Sequence, residues 1–268
     1  MLSEISKEVK SKFTPMLILL WIAVMSILIG MAVYRSSSYQ LRDSLELFTF
    51  TIKDILPLLF PILAVIVYVS SFSLEIDNRF LTYTRMRRPI INSLKIKLAA
   101  NTILSGAFFF LIILGCFVFA YYIEPMFEIA HYDPAGFGLT EDNIAHDTYI
   151  RFTFTQVLEY GIWTYAILYS LWIGMNASLY AAIALYLVIL VRNRFLALSL
   201  PFIIYIISSF TLSALGVETY RPNHVLFPFD RVQSPIWTAF VPFVILLFVL
   251  FGLVVYVKRN IAKIGSLT

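Results

Sequence analysis

Six stretches of this chain, residues 13–34, 55–74, 98–123, 160–191, 195–217 and 232–257, contain no Asp, Glu, Lys or Arg. A helix crosses the hydrocarbon core of a bilayer with about 20 apolar residues, and each stretch is long enough. The chain has 268 residues, 60% of them hydrophobic and only 13% charged, against roughly 25% charged in a soluble globule. Short strands of alternating polarity are missing, which argues against a barrel. The expected fold is therefore an all-α membrane protein, a single domain over 1–268. Its spans are expected at about 15–34, 55–74, 98–122, 166–191, 195–216 and 237–257. The first is long and lacks a small-residue cleavage site, so it reads as a retained span and not a signal peptide.

Loop charge sets the orientation. With the N-terminus inside, the inner segments hold 14 of the 20 Lys and Arg residues and four acids, and the outer segments hold 12 of the 16 acids. The positive-inside rule then places both termini in the cytoplasm. The same rule explains the pI of about 9.1 without nucleic acid. Residues 35–54 read as a short polar loop, and 124–159, acidic and rich in turn residues, as an extracellular cap of short helices. The prolines and aromatics between spans five and six suggest a re-entrant segment, which needs protein or water around its backbone. Leu2, Ile5, Val9 and Phe13 recur at helical spacing, so 1–13 reads as an amphipathic helix on the membrane surface.

The stretches hold no ionisable group other than Cys116 and tyrosines. Ion-coupled transporters keep such groups at membrane depth. The three histidines, His131, His146 and His224, all fall in outer segments, so an intramembrane metal site is not expected. Together with Asp133 and Asp147, the first two form no recognisable metal spacing. Neither a phosphate-cradling glycine loop nor a nucleophile elbow is present. No catalytic residue, cofactor or metal is therefore assigned to the chain, and any work it does must be powered by another protein. Asn101 and Asn176 are expected to hydrogen-bond neighbouring helices.

The basic segment after span two is the candidate for contact with such a protein. Ile76, Phe80, Tyr83 and Arg87 follow one helical face, with Glu75 and Asp77 in the expected first turn and Arg85, Arg87 and Arg88 in the last, before Pro89. Such a helix suits insertion into a groove on a protein partner, or a bed of anionic headgroups.

Six spans, cytoplasmic termini and this charged segment resemble the ABC-2 type permeases of ATP-binding-cassette transporters. The counterparts of the family's coupling segment are Glu75, Phe80–Met86, Arg87-Arg88-Pro89 and Lys95 or Lys97; Asp77-Asn78-Arg79 stands where the family commonly has a glycine. The resemblance implies a non-catalytic subunit of a bacterial plasma-membrane exporter that docks two copies of a cytoplasmic ATPase through Glu75, Phe80, Tyr83, Met86, Arg87 and Arg88. ATP and Mg²⁺ would bind in that partner. It also implies a second permease subunit, identical or homologous, for which Ser26-x-x-x-Gly30 on span one is a candidate contact. The cargo would be amphipathic or hydrophobic: a peptide, a lipid-linked molecule or a drug, as in export of peptide antibiotics and resistance to them. The alternative is a scaffold or sensor that recruits a cytoplasmic partner through 75–97 and transports nothing.

Overall fold

The computed structural model describes residues 1–78, 89–229, 233–261 and 264, with the backbone alone at Glu141. Among these residues, six helices are long and apolar enough to cross a membrane: Pro15–Ser36, Ile55–Asp77, Ile90–Phe127, Ile162–Leu190, Arg194–Ala214 and Trp237–Asn260. They are spans one to six of a multi-pass membrane protein. Each matches a charge-free stretch, with two shifts of consequence: span two runs on to Asp77, past the expected end at residue 74, and the start of span three also moves. Span three begins at Ile90, so Lys95 and Lys97 lie within a helix instead of ahead of one.

In chain order the helices are α1 (Leu2–Lys12), α2 (Pro15–Ser36), α3 (Ser44–Ile52), α4 and α5 (Ile55–Ile66 and Val69–Asp77, both of span two) and α6 (Ile90–Val118). There follow α7 (Glu124–Phe127), α8 (Glu141–Arg151), α9 (Ile162–Leu190), α10 (Arg194–Ala214), α11 (Pro222–Leu226) and α12 (Trp237–Asn260). A π-helical turn, Phe119–Ile123, joins α6 to α7. Pro15 opens α2 at a position where its missing N–H costs nothing. Gly161, at φ 103°, separates the 3₁₀ turn Thr155–Tyr160 from α9, so span four starts after that turn.

Span four is the core helix: 78% of its most apolar window is buried, against 17%, 22% and 6% for spans one, five and six. It crosses span three where small residues let the backbones meet. A Cβ on Gly174 would lie 2.7 Å from the carbonyl oxygen of Gly106, and one on Gly106 would lie 2.6 Å from Ser178 Oγ. Ser178 Oγ donates across this crossing to Thr102 O at 2.7 Å, and Ser105 Oγ donates to Ala64 O of span two at 3.2 Å. Serines, not asparagines, make these cross-helix bonds. Asn176 Nδ2 bonds Trp172 O within its own helix at 2.9 Å, and Asn101 Oδ1 accepts from Ser105 one turn on. At so close a crossing a short hydroxyl bridges two backbones, while a longer amide has room only along its own turn.

The stretch 35–54, expected as a polar loop, instead contains α3, most of which is buried. Asp43 Oδ1 accepts from Glu46 N at 2.7 Å, and Glu46 Oε2 accepts from Arg42 N at 2.8 Å, satisfying donors at the helix start. Phe48, fully buried, meets Phe117, Tyr169 and Phe229 edge-on. Residues 124–159 do contain short helices. There α8 is pinned to α3 by Arg151 Nη1–Glu46 Oε1 at 3.3 Å, Arg42 Nη1–Asp147 Oδ2 at 3.2 Å and Thr148 Oγ1 donating to Asp43 Oδ2 at 2.8 Å. Gln40–Leu41 and His131–Tyr132 form a two-residue parallel pairing nearby.

The Gly106–Gly174 crossing predicts unequal costs for two small substitutions. Gly174→Ala meets backbone and should cost about 1–3 kcal/mol. Gly106→Ala meets only a serine hydroxyl that can rotate away, at the loss of about 1 kcal/mol for one hydrogen bond. Thermal unfolding of both variants in detergent tests the order.

Candidate functional site

At the end of the bundle that carries α1, three elements bring charge into a buried place. The first is α1, which turns Ile5, Glu8, Val9 and Lys12 inward, while Leu2 and Phe13 stay 84% and 59% exposed. The helix is thus rolled by roughly 60° from the face that its apolar residues define, judged at 3.6 residues per turn. The expected surface helix is in fact packed against span three by its charged edge.

The second element is α5. Span two leaves helical geometry at Tyr68, whose φ is −135°, and resumes with Tyr68, Ser71 and Glu75 at spacings that share one face. The third is Lys97, two turns into span three and 6% exposed. Lys97 Nζ pairs with Glu8 Oε1 at 3.1 Å and with Glu75 Oε2. Lys12 Nζ pairs with Glu75 Oε1 and donates to Ser71 Oγ at 2.7 Å. Tyr68 Oη donates to Glu8 Oε1 at 2.8 Å, and the Phe72 ring centroid lies 5.6 Å from Lys97 Nζ. Two lysines thus face two carboxylates, and each carboxylate meets at least one ammonium. Burial alone would raise the Glu8 carboxyl, but Lys97, the Tyr68 hydroxyl and Lys12 outweigh it and hold it below the usual range.

Next to this cluster, Asp77 Oδ1 pairs with Arg194 Nε at 2.7 Å, and Arg194 also donates to Val188 O. The end of span two is therefore tied to the turn between spans four and five. Asn193 supports that turn by accepting from Leu196 N at 3.2 Å, which caps α10.

The residues singled out in the sequence divide into three groups. Glu75 is turned inward and used by Lys12 and Lys97, and Glu75 and Asp77 form the last turn of span two and not the first turn of a separate helix. The physical reason is that the face buried at Val69, Phe72 and Ser73 continues past residue 74 through the apolar Ile76. Phe80, Tyr83, Met86, Arg87 and Arg88, with Arg79 and Arg85, lie outside the described residues. Ser26 and Gly30 stand exposed on one face of span one, and nothing lies within 4 Å of a Cβ placed on Gly30.

Sequence reasoning missed Glu8, Lys12, Tyr68 and Lys97 as one constellation. Their only local signal is the i, i+4 pair Glu8–Lys12. Among the described residues, no group of three or more His, Cys, Asp or Glu could hold a metal ion. Asp147 is engaged by Arg42 and Arg151, and Asp133 Oδ1 accepts from Gly136 N at 3.0 Å.

No family model, no curated protein and no solved structure matches the chain. The chemistry of the cluster is that of a clamp, with buried, neutral and mutually satisfied charges. Lys97→Met would leave two mostly buried carboxylates facing a single ammonium, and should cost about 3 kcal/mol, seen as a lower unfolding midpoint. Acid acts on Glu8. Since its folded value is depressed, its stabilisation is complete above the ordinary carboxylate range and is lost as pH falls through the folded value. A spin label at Ser6→Cys should therefore report a fixed α1 at neutral pH and a mobile one only once the pH falls below the ordinary carboxylate range.

Proposed function

We propose that this chain is the membrane-spanning subunit of an ATP-driven exporter in a bacterial plasma membrane. It would pair with a second permease subunit, identical or homologous, and two copies of a cytoplasmic ATP-binding-cassette ATPase. The chain itself would be non-catalytic, with ATP and Mg²⁺ bound by the ATPases. On this reading both termini and residues 79–88 face the cytoplasm, and 79–88 form the coupling helix.

One observation carries the reading: both flanks of 79–88 are anchored. On one side Glu75 and Asp77 are held by Lys12, Lys97 and Arg194. On the other, span three starts at Ile90 and returns Lys97 to the same cluster. A segment that receives a push from a motor must pass it to more than one span, and this mounting couples it to spans two, three and five together with α1. Closure of the ATPases would then rock the permease halves as packed bodies. A segment that merely rests on headgroups has no use for such anchorage.

The remaining parts fit the same reading. The exposed Ser26 and Gly30 permit close approach of a second span. Residues 222–229 would be the re-entrant element, with the Val225 and Leu226 carbonyls taken by Trp172 Nε1 at 3.1 Å and Tyr169 Oη at 2.8 Å. An amphipathic or hydrophobic cargo suits walls so poor in charge.

Purification from the native membrane tests the proposal. A nucleotide-binding subunit should co-purify in stoichiometric amount with the wild-type chain, and Phe80→Asp should abolish its capture while membrane insertion is unchanged. Normal assembly of the Phe80→Asp complex would move the coupling surface elsewhere. Repeated absence of any ATPase from the wild-type preparation would favour a scaffold or sensor built on the same mounting.

A further inference from the structure

A groove of about 280 Å³ runs along the flank of span four, between it, span six and the segment that follows α11. Tyr165, Tyr169 and Ala239 form its buried floor, and Leu168, Leu171 and Met175 its open rim. Two polar atoms of its aromatic wall are already used: Tyr169 Oη and Trp172 Nε1 both donate to backbone carbonyls of the 225–226 stretch. Among the described residues, what remains facing the groove is almost wholly apolar, with no charged side chain.

Length and depth identify the occupant. From Tyr165 to Met175 the groove follows ten residues of helix, about 15 Å at 1.5 Å per residue. That is half of the roughly 30 Å hydrocarbon core, the thickness of one leaflet. Beside its outer end stand Tyr160 and Trp237, 76% and 59% exposed, residue types that mark the membrane–water boundary. The volume falls just under the roughly 300–1,000 Å³ of sites that hold drug-sized molecules. A groove that starts at the boundary, ends at mid-bilayer, opens sideways and offers no polar partner matches one hydrocarbon chain and little else.

We propose that this groove binds one acyl chain of a membrane phospholipid, drawn from the leaflet at the end of the bundle opposite α1. The bound chain fills the seam between spans four and six and covers the non-helical backbone after α11. The inference rests only on the chain spanning a bilayer and is independent of the exporter reading.

Trp172 lines the groove and serves as the reporter. The full chain carrying Trp21→Phe, Trp163→Phe and Trp237→Phe is purified in detergent and titrated with phosphatidylcholine brominated at mid-chain. Trp172 fluorescence is expected to be quenched to saturation at one lipid per chain. Ala239→Phe, which fills the floor, should weaken the half-saturation point by about tenfold or more. Met175→Phe narrows the open rim at a position 41% exposed, so it should fold normally and shift the titration in the same direction. Quenching that rises in proportion to the brominated fraction without saturating would overturn the proposal, as would saturation unchanged by both variants. Fluorescence that follows protein concentration and ignores the lipid would assign the groove to a second copy of the chain instead, which also overturns it.

Discussion

Span four can serve as the core because its backbone meets that of span three with no side chain between them. Gly174 and Gly106 face each other at a distance that a single methyl would violate. In a bilayer, helices gain little from hiding apolar surface, since lipid is as apolar as leucine. Close packing and short hydrogen bonds must hold them together. The Ser178 and Ser105 bonds sit at this junction and tie span three to spans four and two. Once the three inner spans are fixed, α3 and the aromatic side chains of 222–229 pack onto their upper half, and α1 closes the other end.

The charged cluster imposes a different constraint. Transferring four charges out of water costs more than their attraction returns unless each finds partners of good geometry. Here the Tyr68 and Ser71 hydroxyls and the Phe72 ring complete the shells of Glu8, Lys12 and Lys97. A cluster of this kind contributes little net stability over an apolar replacement, but it tolerates only one arrangement. Sliding α1 by a residue would put Lys7 or Val9 where Glu8 stands, and both of its ionic contacts, Glu8–Lys97 and Lys12–Glu75, would fail together. Specific placement of α1 against spans two and three is what the cluster secures.

The spans were legible in the sequence because a charge-free run of some 20 residues has few other fates. The short helices of 124–159 were legible from the turn residues around them. What escaped has physical reasons in each case. Helix α3 is only nine residues long and carries Glu46 and two threonines, so it lacks the length of a span and looks polar, although its burial comes from the Phe48 ring packing between distant elements. The inward face of α1 was misjudged because a helical wheel weights apolar positions. Glu8 and Lys12 are buried through partners 60 to 90 residues away, which no local pattern encodes. The end of span two was set too early for the same reason: Glu75 looked like the start of a loop, and only the presence of Lys97 and Lys12 makes it a residue of the interior.

Taken together, the distribution of burial divides the six spans by role. Spans two, three and four enclose one another, whereas spans one, five and six touch the bundle by narrow stripes and turn most of their surface outward. Lipid can cover all of that surface, and for span six, 6% buried, it has no visible competitor in the chain. Span one has two small residues one turn apart on its outward face, Ser26 and Gly30, and a Cβ on Gly30 would meet open space, as would one on the lone exposed Gly252 of span six. Lipid gains nothing from small residues, whereas a second helix gains close approach from them. The paired small residues on span one are thus a feature of the surface that bilayer solvation alone does not explain. They belong to a helix that enters the membrane directly after α1, so a partner bound there would be joined through Phe13–Thr14 to the helix that the charged cluster holds in place.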